Sequence, residues 1–234
     1  MDFPLQNAIS QAFKPKKDPW NEPLTNIYKS LAEDYLYPNP SNMVVFLDNH
    51  DMRRVFLQLE HDYSHWKMAI AYLLTTRGIP QIYYGTEILM SDTLNPGDHG
   101  TLRADFPGGW AGDKVSAFTG FLKKEQIAAQ DYLKNLLNWR KTCKTIHSGD
   151  LKHFAPSNNT QSYITLRYNK KTTVMLVINK GVEKLKITPL DFMIESNYIK
   201  DNYYAANIVT GDELDIRKEI LIEPKSLLLV ELYH

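Results

Sequence analysis

Met43-Val44-Val45-Phe46-Leu47 runs without interruption into Asp48-Asn49-His50-Asp51, and this abrupt change from apolar to polar decides how the rest of the chain is read. Five consecutive apolar residues fit a short strand buried on both faces, as the strands of parallel sheets are. A second run, Ile79-Pro80-Gln81-Ile82-Tyr83-Tyr84, follows Gly78, closes at Gly85 and gives way to polar Thr86-Glu87. Between the two, Trp66, Ile70, Leu73 and Leu74 recur at helical spacing. A crossover of helix length therefore separates the strands and keeps them parallel.

Working outward, Leu5, Ala8, Ile9, Ala12 and Phe13 form one helical stripe that ends at Lys14-Pro15. Leu24, Ile27, Tyr28, Leu31 and Tyr35 form a second, stopped by the turn cluster Tyr37-Pro38-Asn39-Pro40-Ser41-Asn42. Residues 91–113, rich in Gly, Pro and Asp, read as a long loop of the kind that carries function or moves. Ala129, Leu133, Leu136 and Leu137 then mark a helix running to about Lys141. From residue 149 the pattern becomes β-rich, with strands expected at 162–168, 173–179, 185–188, 207–210, 219–223 and 226–233 and no helix pattern among them. The fold class predicted is α/β followed by all-β, an antiparallel β-sandwich of about 85 residues, with the division at 1–148 and 149–234.

At 234 residues the chain has room for one or two domains and a real core. Lys plus Arg and Asp plus Glu number 27 each, so the basic footprint of a nucleic-acid binder is absent and nothing draws the chain to an anionic membrane surface. No apolar run approaches the ~20 residues that span a bilayer. Cys143 is the single cysteine, which excludes an intrachain disulfide and reads as a buried apolar thiol rather than a nucleophile. The opening Met1-Asp2-Phe3-Pro4-Leu5 lacks the basic and apolar regions of a secretory signal, which predicts either a cytoplasmic chain or a true N-terminus lying further upstream.

In parallel α/β folds the reacting groups gather beyond the carboxyl ends of the strands. Asp48, Asn49, His50 and Asp51 follow the first strand and Glu87 the second, so three carboxylates, an imidazole and an amide are expected on one polar rim. Taken singly, each Asp or Asn fits a loop cap equally well. Together they suit a hydroxyl-rich substrate, and glycosidases work with two carboxyl groups about 5–9 Å apart.

Phe46-Leu47-Asp48-Asn49-His50-Asp51, with Arg54 beyond, resembles the seventh-strand segment of the α-amylase family of glycoside hydrolases. Gly78-Ile79-Pro80 through Tyr83-Tyr84-Gly85-Thr86-Glu87 resembles the family's eighth-strand segment, and Met1-Asp2-Phe3-Pro4-Leu5 its sixth-strand exit. Arg103-Ala104-Asp105-Phe106-Pro107-Gly108-Gly109-Trp110 is similar to the following loop in neopullulanase- and cyclomaltodextrinase-like members. The resemblance implies the C-terminal part of a (β/α)8 TIM barrel followed by the family's β-sandwich. It implies that Asp51 is the transition-state-stabilising carboxylate, with His50 and Asn49 beside it on the substrate. Arg54 is expected to pair with the rim carboxylates, a solvated surface arginine being the alternative, and Asp98 and Arg103 to border a more distant glucose subsite. Trp110, Tyr83 and Tyr84 offer stacking faces, with core packing equally open for the two tyrosines.

The implied parent cleaves α-glucosidic bonds of starch-type glucans, maltooligosaccharides, pullulan or cyclodextrins with retention. A full barrel takes about 250 residues, whereas about 145 precede the sandwich. The family's nucleophile and general acid follow its fourth and fifth strands, outside this sequence, so the isolated chain is expected to be inactive and to lack its barrel partner, the N-terminal part. Its open strand edges favour self-association. No cofactor or metal ligand set is read here, although some relatives hold calcium, and a periplasmic or secreted parent stays open. The rival readings are a glucan-binding or interaction protein using sandwich aromatics such as Tyr198, Tyr203 and Tyr204, a hydrolase using Asp51 and Glu87 as its own pair, and part of a glucan transglycosylase.

Overall fold

The computed structural model describes residues 1–15, 23–92, 95, 98–157, 159, 161–193 and 203–233. Helix α1 (Phe3–Ala12) opens on Asp2, whose carboxylate accepts the Leu5 N–H at 3.0 Å, and buries Leu5, Ala8, Ile9 and Ala12 on one face. Helix α2 (Pro23–Ala32) buries Leu24, Ile27 and Leu31. The expected continuation to Tyr35 fails, because the chain tightens into a 3-10 turn at Asp34–Leu36 and leaves Tyr35 81% exposed. Strand β1 (Val44–Phe46) is followed by α3 (Val55–Gln58), α4 (Tyr63–Thr75) and β2 (Ile79–Gln81), which pairs with β1 in parallel with Val44 opposite Ile79.

Both strands are shorter than their apolar runs, and Ile79, expected to be buried, is half exposed. The cause is that β2 has a single strand neighbour among the described residues, leaving its other edge open. Gly78 permits the close approach: at φ +98° a Cβ there would lie 2.6 Å from the Met43 carbonyl oxygen. Helix α4 departs from the expected single stripe, being buried on nearly all sides, since it lies between α6 (Lys124–Thr142) and the sheet described below. Between β2 and α6, the expected long loop contains the short helix α5 (His99–Leu102).

After α7 (Lys144–Ser148) come β3 (Asp150–His153), β4 (Ser162–Tyr168), β5 (Thr172–Asn179), β6 (Leu185–Ile187), α8 (Pro189–Met193), β7 (Tyr204–Asn207), β8 (Ile220–Ile222) and β9 (Ser226–Tyr233). An antiparallel sheet in the order β3-β4-β5-β9-β7 faces a β6–β8 ribbon. Its side chains alternate as strand geometry requires. Tyr163, Val174, Leu176, Ile178 and Leu229 join the helical core, while Leu166, Met175, Val177, Val230 and Leu232 form a second core with Ile187, Met193 and Ile222. The sequence reading missed β3 and helix α8. It also placed a strand at 207–210, whereas the strand ends at Asn207, whose side chain accepts the Val209 N–H and starts a turn. Tyr198 lies outside the described residues, and Tyr204 is half exposed beside Tyr233.

Polar contacts hold the layers together. Glu231 on β9 accepts from the Trp139 indole N–H at 2.8 Å and the Cys143 thiol at 3.2 Å, and burial pushes that thiol up to about 12, so Cys143 is the inert buried thiol its sequence context implied. Arg77, between α4 and β2, grips both Asp34 oxygens and donates to Asp2 at 2.5 Å, tying the start of α1 to the approach to β2. Asp48 at the end of β1 is fully buried. It accepts the Val55 N–H at 2.7 Å and the Thr86 hydroxyl at 3.2 Å, joining the exits of the two strands.

Burial, reinforced by the Glu87 charge, raises Asp48 to about 6 against the lowering effect of the Val55 amide, the Arg54 charge and Thr86. A carboxyl whose folded pKa lies above its unfolded value contributes stability that is complete below about pH 4 and lost as pH rises through about 6. Asp48→Asn should therefore gain on the wild type by about 3 kcal/mol between pH 4 and pH 7, measured as the pH dependence of the difference in urea-unfolding free energy; a flat difference would contradict the buried acid. Arg77→Met, which strands Asp2 and Asp34 against each other, should cost about 3–5 kcal/mol in the same assay. A cost below about 1 kcal/mol would show that the fork is dispensable.

Candidate functional site

The chain leaves β1 through Asn49, whose side-chain oxygen accepts the Asp51 N–H at 2.8 Å and turns His50 and Asp51 outward. Asn49 itself is buried, so the residue expected on the substrate is here the pivot of the turn. His50 and Asp51 stand 60% exposed, with His50 Nε2 3.2 Å from one Asp51 oxygen. The other oxygen accepts from Arg103 Nη2 at 2.9 Å, while Arg103 Nε donates to the His50 carbonyl at 3.2 Å. Asp51 is thus a solvent-facing carboxylate flanked by an imidazole and a guanidinium, and its own oxygens remain within reach of a ligand.

Arg103 arrives there through a chain of supports. Asp98 caps α5, accepting from the Gly100 N–H at 2.6 Å and from the Asn95 amide at 2.9 Å, so it orders the loop that delivers Arg103. The C-terminal end of α5 is held by Arg54, which donates to the Leu102 carbonyl at 2.8 Å and the Tyr84 carbonyl at 2.6 Å. Arg54 is 1% exposed and its guanidinium lies 4.6 Å and 4.9 Å from the centroids of the Tyr83 and Tyr84 rings. It is not a solvated surface arginine, and its pairing with a rim carboxylate is through the charge of Asp48 rather than a hydrogen bond. Its two Nη groups go to carbonyls because the turn after β2 and the end of α5 close over it, its buried Nε has no hydrogen-bond partner, and its charge acts on Asp48.

Tyr83 and Tyr84 likewise act on the loop: their hydroxyls donate to the Leu102 carbonyl at 3.2 Å and the Ala104 carbonyl at 2.8 Å. Gly85 makes this turn at φ +84°, where a Cβ would strike Met90. The single polar rim expected of Asp48, Asp51 and Glu87 does not form. Asp48 lies beneath the surface, and Glu87 lines a groove of about 620 Å³ with Ile82, Tyr84 and the α6 residues Gln130, Lys134 and Asn138. Sequence reasoning missed Thr86 as the partner of Asp48 and Arg103 as the partner of Asp51. The Gly85-Thr86 pair following an apolar run was the available signal for the first; the second depends on a fold-back of 52 residues. Among the described residues no group of three His, Cys, Asp or Glu side chains is placed to hold a metal ion.

Comparison with known proteins places this geometry in a family. Residues 1–176 match the α-amylase catalytic domain and residues 151–231 the cyclomaltodextrinase C-terminal domain. An α-amylase of Niallia circulans is 27% identical over 217 residues, which is 92% of this chain and 36% of that protein. A cyclomaltodextrin glucanotransferase of Paenibacillus macerans is 37% identical over 102 residues, 44% of this chain and 14% of that one. The fold is shared with the α-amylase of Geobacillus thermoleovorans solved in complex with acarbose, at 23% identity and a TM-score of 0.72, over 100% of this chain and 48% of that chain. The chain therefore spans at most about half the length of these proteins. With a two-stranded parallel unit and its helices on one side and an antiparallel sandwich on the other, it is the C-terminal part of a (β/α)8 barrel followed by a β-sandwich, and it belongs to the α-amylase family.

Proposed function

We propose that the chain supplies the hydroxyl-gripping side of a glycoside hydrolase that cleaves α-glucosidic bonds in starch-type glucans with retention. The observation that carries this reading is the solvent-facing Asp51 carboxylate, set at the carboxyl end of β1 between His50 and Arg103 inside the matched catalytic-domain region. An ionised carboxylate in this position accepts hydrogen bonds from hydroxyls of the sugar whose bond is breaking. Those bonds strengthen as positive charge develops on the ring, which lowers the barrier more than it tightens substrate binding.

His50 adds a neutral or charged donor to the same hydroxyls, and Arg103 holds one Asp51 oxygen in place while the other turns to the ligand. Nucleophile and general acid belong to barrel segments outside these 234 residues, and the division of labour follows the split at 148 and 149, with the sandwich bracing α4 and α6 rather than touching sugar. No second-acid role is assigned to Glu87, which lines the α6 groove with Tyr84 and Lys134. Transfer of the glycosyl unit to a sugar acceptor instead of water is a second reading, favoured by the glucanotransferase relative.

The test is reducing-sugar release from maltohexaose by the 234-residue chain and by Asp51→Asn, with acarbose affinity read by calorimetry on both. The expected result is no turnover by either and acarbose binding weakened at least about tenfold in Asp51→Asn, the loss of a charge-assisted hydrogen bond. Turnover by the wild type that Asp51→Asn abolishes would overturn it, because the chain would then hold a complete acid pair of its own.

A further inference from the structure

The seam between the helices and the antiparallel sheet encloses two arginines that the site above does not use. Arg140, near the end of α6, is 9% exposed. Arg167, on β4, is 3% exposed and stands opposite Val174, whose side chain joins the helical core, so it too points into the seam. Each donates to one backbone carbonyl: Arg140 Nη1 to Leu74 at the C-terminal end of α4 at 2.7 Å, and Arg167 Nη2 to Ile146 in α7 at 3.2 Å. The Arg167 Nε–H is buried with no hydrogen-bond partner. Among the described residues neither guanidinium has a carboxylate within ion-pair distance, whereas the buried Arg77 closes on Asp2 and Asp34 and Arg54 has the charge of Asp48 beside it. The two cations also lie near enough to act on each other. Burial and the Arg140 charge push Arg167 down to about 10, with the exposed Asp150 opposing them, and burial lowers Arg140 as well.

We propose that a small monovalent inorganic anion of the size of chloride binds between Arg140 and Arg167 and locks the β-sandwich onto α4, α6 and α7. The groups on offer are N–H donors, one of them unused, and an excess of positive charge, while the carbonyls beside them already accept from the guanidiniums. Such a set takes an anion and rejects a cation. A water could accept from the Arg167 Nε–H but would leave both charges uncompensated, and a buried ion without a counter-charge is the costly case. A multiply charged oxyanion gives up more hydration on entering and needs more donors than the two side chains have free. A monoatomic ion needs room for only about one water-sized sphere. The C-terminal end of α4 leads into the start of β2, so this seam lies at the opposite end of the parallel strands from Asp51, and the proposal is independent of the function assigned to that rim.

Thermal unfolding of the 234-residue chain in sodium chloride and in sodium gluconate at equal ionic strength tests this, since gluconate is too large to enter the seam, and saturable broadening of the chloride NMR line reads binding directly. The expected result is a midpoint at least about 4 °C higher in chloride, the shift an ion at tens of times its dissociation constant gives a chain of this size. Arg140→Met should lose both the shift and the broadening. Arg167→Lys, which keeps the charge and removes the Nε donor, should weaken chloride at least about tenfold, the loss of a charge-assisted hydrogen bond. Equal midpoints in the two salts with no saturable broadening in the wild type overturn the site and leave the Nε–H to water. A chloride effect that Arg167→Lys keeps at full strength overturns it as well, because the ion would then be bound elsewhere on the chain. Should Arg140→Met not fold, the wild type and Arg167→Lys decide between these outcomes.

Discussion

A desolvated guanidinium governs the candidate site. Arg54 packs against the adjoining rings of Tyr83 and Tyr84 and gives its hydrogen bonds to the carbonyls of Tyr84 and Leu102, which belong to segments on either side of a long loop. Removing a cation from water is costly, the more so here because the buried Arg54 Nε has no hydrogen-bond partner, and a compensating charge must be near. The compensating charge is Asp48, which burial holds at about 6 and which is therefore ionised at neutral pH and protonated in mild acid. Asp48 in turn ties β1 to Thr86 and to the start of α3. The loop bearing Arg103, the turn bearing Asp51 and the strand exits are thus parts of one electrostatic unit, and the exposed residues are precise in position because the buried ones are constrained.

Much of this was legible in the sequence where one physical signal acts alone. The apolar run at 43–47 and its polar end identified the strand and the Asp51 turn, and the stripes Leu5-Ala8-Ile9-Ala12 and Leu24-Ile27-Leu31 identified the first two helices, because burial of one face has a fixed period. The same reasoning extended α2 to Tyr35 and missed that α4 is enclosed. Periodicity reports that a residue is apolar, whereas enclosure depends on the later arrival of α6 and the sandwich. Strand β3 escaped because Asp150-Leu151-Lys152-His153 is an edge strand of mixed polarity whose pairing with β4 supplies its order.

The site was legible in residue type and less so in role. His50, Asp51 and Arg103 are brought together, but Asn49 and Asp98 build turns and caps, and Arg54, Tyr83 and Tyr84 hold backbone. An aspartate or arginine beside a strand end announces polar chemistry without saying whether its partner is a ligand or a carbonyl. That choice is settled by tertiary fold-back, which local patterns do not encode. The resemblance to the α-amylase family singled out Asp51, whereas the density of polar residues pointed to Asp48 and Glu87 as well.

On the function proposed above, Asp51 is the carboxylate of the strand ends that meets sugar and none of them is the nucleophile: Asp51 faces solvent between two donors, Asp48 is buried under the turn, and Glu87 lines the α6 groove. The most direct measurement is intact-mass spectrometry of the 234-residue chain after incubation with a fluorinated α-glucosyl fluoride that traps covalent glycosyl-enzyme intermediates. The account predicts an unchanged mass at full reagent exposure. A stoichiometric added hexosyl group that maps to Asp51, Asp48 or Glu87 would contradict it, because one of these residues would then be the nucleophile.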